Sequence, residues 1–399
     1  MKPLLNRMKA NNEHPRLLRP ATRPPYGGWT GLQRREGDDF LKWLRREQCL
    51  KKGLDALAIA LKATLNDLVR TDADARAVWR VAPAVLRNCN DPETYSKPQA
   101  ETAYAWLHML DRYVRTWLAF EHLVRASLLP MGKFGVRALD VGTGPGPSAF
   151  ATHDFFAAMQ HYARATASTH WEQPPQITCV ECAPGMNLIR HLVAERLAVA
   201  GAPRSVLDVT GGLHDFGGLY PTLERKQLAN SLRNKYDEYW NECRGELDAE
   251  PVYTLEEASR EASSHHRYRL FTFCNFLTTL DIVSDFQDNI EESFADAHAG
   301  SVLLMIGGKG GCYPTIRERI AKLAEASGFR RHNDTGTVGS ADTKLDRRLG
   351  NELRSFYCRL KRLAVELPKN GPYGAELRSE LEDCRPVEFR ESKVLAFRK

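Results

Sequence analysis

What this chain lacks narrows it first. No apolar run approaches the ~20 residues that a bilayer-spanning helix needs, so a soluble protein with no membrane partner is expected. The nine cysteines are odd in number and irregularly spaced, which argues against a disulfide framework and for a reducing compartment, with the cytoplasm as the expected location. The one CxxC pair, Cys179 and Cys182, falls on a predicted strand. Residues three apart on a strand face opposite sides, so no metal site is expected there. Acid is scarce in residues 1–35, where eight Lys or Arg stand against Glu13 alone. That segment carries +7, which leaves −1 for the other 364 residues of a chain whose total is +6. The basic excess is a tail on a nearly neutral body. Five prolines (Pro3, Pro15, Pro20, Pro24 and Pro25) and no apolar periodicity make the tail read as a disordered arm. It has no apolar segment of the secretory kind. It reads first as a solubilising or docking arm, with a handle for nucleic acid as the alternative and a transit peptide, given its basic and acid-poor composition, as a third.

What is present is a chain long and apolar enough, at 399 residues and 43% hydrophobic, to bury a large core in two structural units. Residues 36–130 read as a helical N-terminal region. Apolar residues recur at helical spacing from Gly53 to Leu68, and Thr71, Asp72 and Asp74 offer caps for the next helix. A longer helix follows Pro98. Its apolar stripe runs through Tyr104, Leu107, Leu110, Val114, Trp117, Leu118, Val124 and Leu128, with Arg112, Arg115 and Glu121 off that face. The stripe reads as core packing.

From residue 131 onward, strands and helices alternate, which predicts an α/β, doubly wound and mostly parallel sheet. Strands are expected at 136–141, 176–182, 205–210, 268–275, 301–306 and 387–398. Helices are expected at 147–164, 184–200, 282–298 and 314–327. The centre of this pattern is Val136-Arg-Ala-Leu-Asp-Val-Gly-Thr-Gly-Pro-Gly146, followed by Pro147. An apolar strand that stops at glycines and turns straight into a helix sets backbone N–H groups and a helix N-terminus against a ligand. Three details separate it from a dinucleotide fingerprint. Asp140 lies two residues before Gly142; Pro147 stands where a third small residue belongs; and Glu181, the acid ending the next strand, lies 35 residues after Gly146, against about 20 in the fingerprint. A nicotinamide-dependent oxidoreductase is therefore disfavoured.

Leu139-Asp-Val-Gly-Thr-Gly-Pro-Gly146 closely resembles the first motif of the class I S-adenosylmethionine-dependent methyltransferases, and Val180-Glu181 resembles the second. The resemblance implies a Rossmann-like, seven-stranded sheet ending in an antiparallel strand, and S-adenosyl-L-methionine as cofactor. Asp140, Gly142, Thr143, Gly144 and Gly146 would then hold its methionine part. Glu181, beside Cys182, would hold the ribose hydroxyls. After the third strand the family often has an acid for the adenine, where this chain has Gly212, so Leu213, His214 or Asp215 would take that role. Asn275, at the end of the fourth strand, would touch the cofactor or orient the acceptor. The Asn-Pro-Pro-Tyr signature of enzymes that methylate amino groups is missing, which leaves the acceptor open among RNA, protein and small molecules.

His214, Asp215 and Asp281 are candidate bases, and none is assigned a catalytic role. Residues 217–267 and 342–367 read as helical insertions. The second presents Arg347, Arg354 and Lys361, spaced by seven, as a further candidate for nucleic-acid contact. Gly307-Gly-Lys-Gly-Gly311 does not match a phosphate loop and reads as a rim of the acceptor site. The expected function is methyl transfer; the alternative is a protein that binds the cofactor without catalysis and serves assembly or interaction.

Overall fold

Among the described residues, five helices precede the first strand: α1 (Arg34–Arg46), α2 (Cys49–Leu68), α3 (Asp72–Arg87), α4 (Pro92–Tyr95) and α5 (Ala100–Arg125). They belong to a computed structural model that describes residues 34–87, 92–95, 97–130, 136–166, 175–181, 183–199, 206–209, 268–274, 280–295, 297, 299–309, 311, 313–332, 336–339, 353–363 and 391–399. All of these fall in one compact unit spanning 30–220 and 268–399. Residues 1–33 of the basic arm and the insertion at 217–267 lie outside the described residues.

The helices form where the sequence repeats. In α2 the buried Leu54, Leu57, Ala58, Leu61 and Leu65 follow helical spacing. A reciprocal cap opens α3: Asp74 N–H donates to Thr71 Oγ1 at 3.1 Å, and Thr71 N–H donates to the Asp74 carboxylate at 3.0 Å. That backbone bond, first among its causes, holds the Asp74 carboxyl below its ordinary value.

The sheet comes next, in the expected alternation: β1 (Arg137–Val141), α6 (Pro147–Ala165), β2 (Gln176–Val180), α7 (Pro184–Val199), β3 (Val206–Val209), β4 (Leu270–Cys274), α8 (Leu280–Asp285), α9 (Gln287–Ala295), β5 (Val302–Gly308), α10 (Tyr313–Ala326), β6 (Arg330–Arg331), β7 (Thr337–Val338), α11 (Arg354–Leu363) and β8 (Ser392–Arg398). The single helix expected over 282–298 is two helices, divided at Phe286. Strand order is β3-β2-β1-β4-β5-β8. The first five strands are parallel, and β8 runs antiparallel along β5 from Val302↔Arg398 to Gly308↔Ser392. The two-residue segments β6 and β7 both pair with β8. Together they act as one interrupted edge strand, so eight segments fill seven strand positions.

Alternation along the strands sorts their side chains. Leu139 and Val141, Phe271 and Phe273, and Leu303 and Met305 share one face with Ile290 and Phe294 of α9 and Ile316 and Ile320 of α10. On the other side of the sheet, α5 packs on α6: Trp117 and Phe120 stand 5.1 and 5.3 Å from the Phe155 ring. The aromatic stripe is core.

Here the structure also departs from the amphipathic reading of α5. Arg115 and Glu121 lie off the apolar stripe yet are largely buried, because the helix is enclosed on nearly every side. Each is compensated. Arg115 pairs with Asp111 at 2.6 Å and donates to Ser392 Oγ at 2.8 Å. Glu121 accepts from Trp117 Nε1 at 3.2 Å and from Arg125 at 2.9 Å.

Within the expected helix 342–367, the described part docks on the helical region. Phe356 and Tyr357 stand 6.0 and 6.2 Å from Trp106. Arg359 donates to the carbonyls of Val69 and Arg70 at 2.5 and 2.9 Å, serving groups that the end of α2 leaves open. Arg354 and Lys361 remain exposed, while Arg347 lies outside the described residues.

Candidate functional site

Strand order reverses between β1 and β4, since β2 and β3 lie to one side of β1 and β4 and β5 to the other. Such a switch point, at the carboxyl ends of the strands, is where open α/β sheets bind ligands. The glycine loop sits there. Gly142, Gly144 and Gly146 all have positive φ, at 68°, 58° and 93°. At Gly146 this is obligatory twice over: the backbone is left-handed, and a Cβ would lie 2.9 Å from Arg190 Cγ and 3.0 Å from the Phe150 ring. Pro147 then opens α6 at its first position.

The loop is tied to β2 by hydrogen bonds. The N–H groups of Gly142 and Thr143 donate to the Val180 carbonyl at 2.9 and 3.2 Å. Gly144 N–H donates to Glu181 Oε2 at 2.8 Å, and Ala183 N–H donates to Glu181 Oε1 at 2.9 Å. Glu181 thus stands at the end of β2, half-buried, with its carboxylate against the loop. Asn187 donates to the Glu181 carbonyl at 3.1 Å and steadies the same turn.

Asp140 does not meet the loop amides. Its carboxylate is buried beneath the loop and accepts from two hydroxyls: Ser148 Oγ at 2.5 Å and Thr272 Oγ1 at 2.6 Å. The cause is register. Asp140 pairs directly with Thr272 on β4, and Ser148 is the second residue of α6, so both hydroxyls reach the carboxylate before any amide does. Thr143 Oγ1 instead donates to the Asp140 carbonyl at 2.8 Å. Burial raises the Asp140 carboxyl to about 6, with the Ser148, Thr272 and Thr143 hydroxyls and the Arg190 charge opposing it.

Helix α5 closes the site, a role its sequence did not announce. A Cβ on Gly144 would meet the Tyr104 ring at 3.7 Å, and one on Gly185 would meet Glu101 at 2.9 Å. Further along, Thr116 Oγ1 lies 3.9 Å from Cys274 Sγ at the end of β4. Burial pushes the Cys274 thiol well up, which leaves it an inert wall residue. The available signal was the i, i+4 series Tyr104, His108, Arg112 and Thr116, running beside the apolar stripe.

The structure therefore brings together Asp140, Gly142, Thr143, Gly144, Gly146 and Glu181. Cys182, Leu213, His214, Asp215 and Asn275 lie outside the described residues. Asp281 is exposed in the first turn of α8. Among the described residues, no group of three or more His, Cys, Asp or Glu side chains is placed to hold a metal ion, and no helix is long and apolar enough to cross a membrane.

No protein-family model matches the chain, and no curated protein matches it by sequence. Solved structures do resemble it, at low scores. One is Haemonchus contortus phosphoethanolamine N-methyltransferase 2, bound to phosphomonomethylethanolamine and S-adenosylhomocysteine; identity is 12%, over 76% of this chain and 60% of that one, with a TM-score of 0.32. The chain thus spans well under two thirds of that enzyme's length. A Geobacter sulfurreducens S-adenosylmethionine-dependent methyltransferase with S-adenosylhomocysteine is 14% identical over 72% of this chain and 90% of that one, at 0.30. Aeropyrum pernix fibrillarin with bound S-adenosyl-L-methionine is 11% identical over 57% and 71%, at 0.28. What defines the fold class is the sheet itself. Five parallel strands in the order 3-2-1-4-5, an antiparallel strand against the fifth, a glycine loop after the first and an acid after the second make this an α/β, Rossmann-like fold.

Proposed function

We propose that the protein transfers a methyl group from S-adenosyl-L-methionine to an acceptor nucleophile. The observation that carries this reading is the hydrogen bond from Gly144 to Glu181, which joins the two candidate cofactor motifs at the switch point. The residues fit the cofactor. Left-handed glycines keep side chains out of the cradle around Gly144, and the Glu181 carboxylate at the end of β2 would accept from ribose hydroxyls. Asp140 anchors the loop from below through α6 and β4.

When bound, the cofactor supplies an activated methyl group: the acceptor's lone pair forms the new bond to carbon while the carbon–sulfur pair stays on sulfur, leaving S-adenosylhomocysteine. The chain's share of the chemistry is positioning. Holding the acceptor close and in line lowers the barrier without further activation of the methyl group. A base is required only where the acceptor must shed a proton, and exposed Asp281 makes a poor one.

Titration calorimetry tests the reading. S-adenosylmethionine and S-adenosylhomocysteine should bind far better than NAD; tighter binding of NAD would overturn it. Radiolabelled methyl transfer into a cell extract, fractionated into RNA, protein and small molecules, would then reveal the acceptor class. Cofactor binding without transfer into any fraction would favour the non-catalytic interaction role instead.

A further inference from the structure

Tyr104, His108, Arg112 and Thr116 are spaced by four along α5 and share one face of it. Both ends of this series are anchored at the site. Tyr104 lies beside Gly144, and Thr116 lies against Cys274. The series therefore spans from the loop after β1 to the end of β4, across the point where the sheet order reverses.

Arg112 stands within that span. Its guanidinium carbon is 4.6 Å from the centroid of the Tyr104 ring, and the residue is half-buried. The ring flanks the guanidinium while its N–H groups stay able to donate. Among the described residues no carboxylate pairs with it. The neighbouring buried carboxylate, Asp111, is committed to Arg115, which also reaches Ser392. Arg112 lowers the Arg115 value and opposes the rise of the Cys274 thiol, so its charge is felt at the end of β4. A partly desolvated guanidinium flanked by an aromatic ring, with no carboxylate paired to it among the described residues, can receive an anion, most effectively a carboxylate or phosphate that takes two N–H bonds.

We propose that Arg112, held by the Tyr104 ring, binds a carboxylate or phosphate group carried by a small-molecule methyl acceptor. The identification of that anion as part of an acceptor rests on the methyltransferase reading; the anion site itself does not. A half-buried guanidinium between α5 and the carboxyl end of β4 suits a compact anionic group.

The test is a calorimetric titration of the full-length protein, saturated with S-adenosylhomocysteine, using inorganic phosphate in one arm and acetate in the other. Wild type should bind at least one of them, and the preferred arm tells phosphate from carboxylate. Arg112→Ala should weaken that binding at least tenfold and Arg112→Lys should restore part of it, with S-adenosylhomocysteine affinity unchanged in both variants as the check on folding. Equal anion affinity in wild type and Arg112→Ala, or no binding of either anion to wild type, would sink the proposal. If S-adenosylhomocysteine fails to bind wild type while Arg112-dependent anion binding persists, the cofactor reading falls and the anion site stands.

Discussion

Gly144 and Glu181, 37 residues apart in sequence, are directly bonded: the N–H of the middle loop glycine donates to the Glu181 carboxylate at 2.8 Å. With the second bond from Ala183, each carboxylate oxygen accepts one amide and keeps a lone pair for a ligand. Glu181 therefore shapes the loop and still has acceptor capacity to offer a ligand. Glu181→Ala should weaken S-adenosylhomocysteine binding by about 1 to 3 kcal/mol, the range for leaving buried polar groups unpaired, while far-UV circular dichroism stays native. Unchanged affinity would mean that Glu181 does not face the cofactor.

The loop and its acid were legible because they are local. Glycines at 142, 144 and 146 can end a strand in very few ways, and Pro147 commits the chain to a helix start. The place of α5 was not legible, since an amphipathic helix reads the same whichever neighbour covers it. Arg115 and Glu121 fell off the apolar stripe, and only tertiary enclosure, with Asp111 and Trp117 as partners, explains their burial. The partners of Asp140 depended on strand register, which pairs it with Thr272 of β4, 132 residues away. Segments as short as Arg330–Arg331 and Thr337–Val338 carry no period at all.

The two later glycines of the loop should respond differently to alanine. At Gly146 a Cβ meets Arg190 and Phe150 at about the distance where something must shift, and φ is 93°. Gly146→Ala should cost roughly 1 to 3 kcal/mol of stability, as a strained backbone does, with added cost from the contact. At Gly144 the nearest atom is 3.7 Å away, so only the left-handed backbone is penalised, at about 1 to 2 kcal/mol. Gly144→Ala should instead show its larger effect on S-adenosylhomocysteine affinity. Denaturant melts paired with titration would separate the two; equal destabilisation with equal loss of affinity would contradict the assignment.

Asp140 should leave a signature in the pH dependence of stability. Its carboxyl is raised from 3.8 to about 6 in the folded protein, mainly by burial. A raised folded value means that the folded state holds the proton more tightly. Its contribution is therefore fully present below about 3.8 and is lost as pH rises through about 6, a change of about 3 kcal/mol at 1.36 kcal/mol per unit. Asp140→Asn cannot ionise, so the stability of wild type relative to this variant should fall between pH 4.5 and pH 7.5. A difference that stays flat across that window in urea melts would rule the shift out.

The Asp111–Arg115 pair should matter to stability more than any surface ion pair of the helical region. Its side chains are 4% and 12% exposed, the contact is 2.6 Å, and Arg115 also reaches Ser392 at the start of β8, so the pair links α5 to the last strand. Burial lowers the Arg115 value while Asp111 opposes that shift, which marks the carboxylate as the group that makes the buried cation tolerable. Removing one partner leaves an uncompensated charge, so Asp111→Ala should destabilise by about 3 to 5 kcal/mol. Replacing both at once with apolar residues of similar volume, Asp111→Leu with Arg115→Met, should recover most of that loss, because the desolvation cost disappears with the charges. The exposed pair Lys42–Asp39 provides the contrast: Asp39→Ala should change stability by less than about 1 kcal/mol. If Asp111→Ala proved as mild as Asp39→Ala, the enclosure of α5 between α6 and the sheet edge would be looser than described, and water would have to reach Arg115.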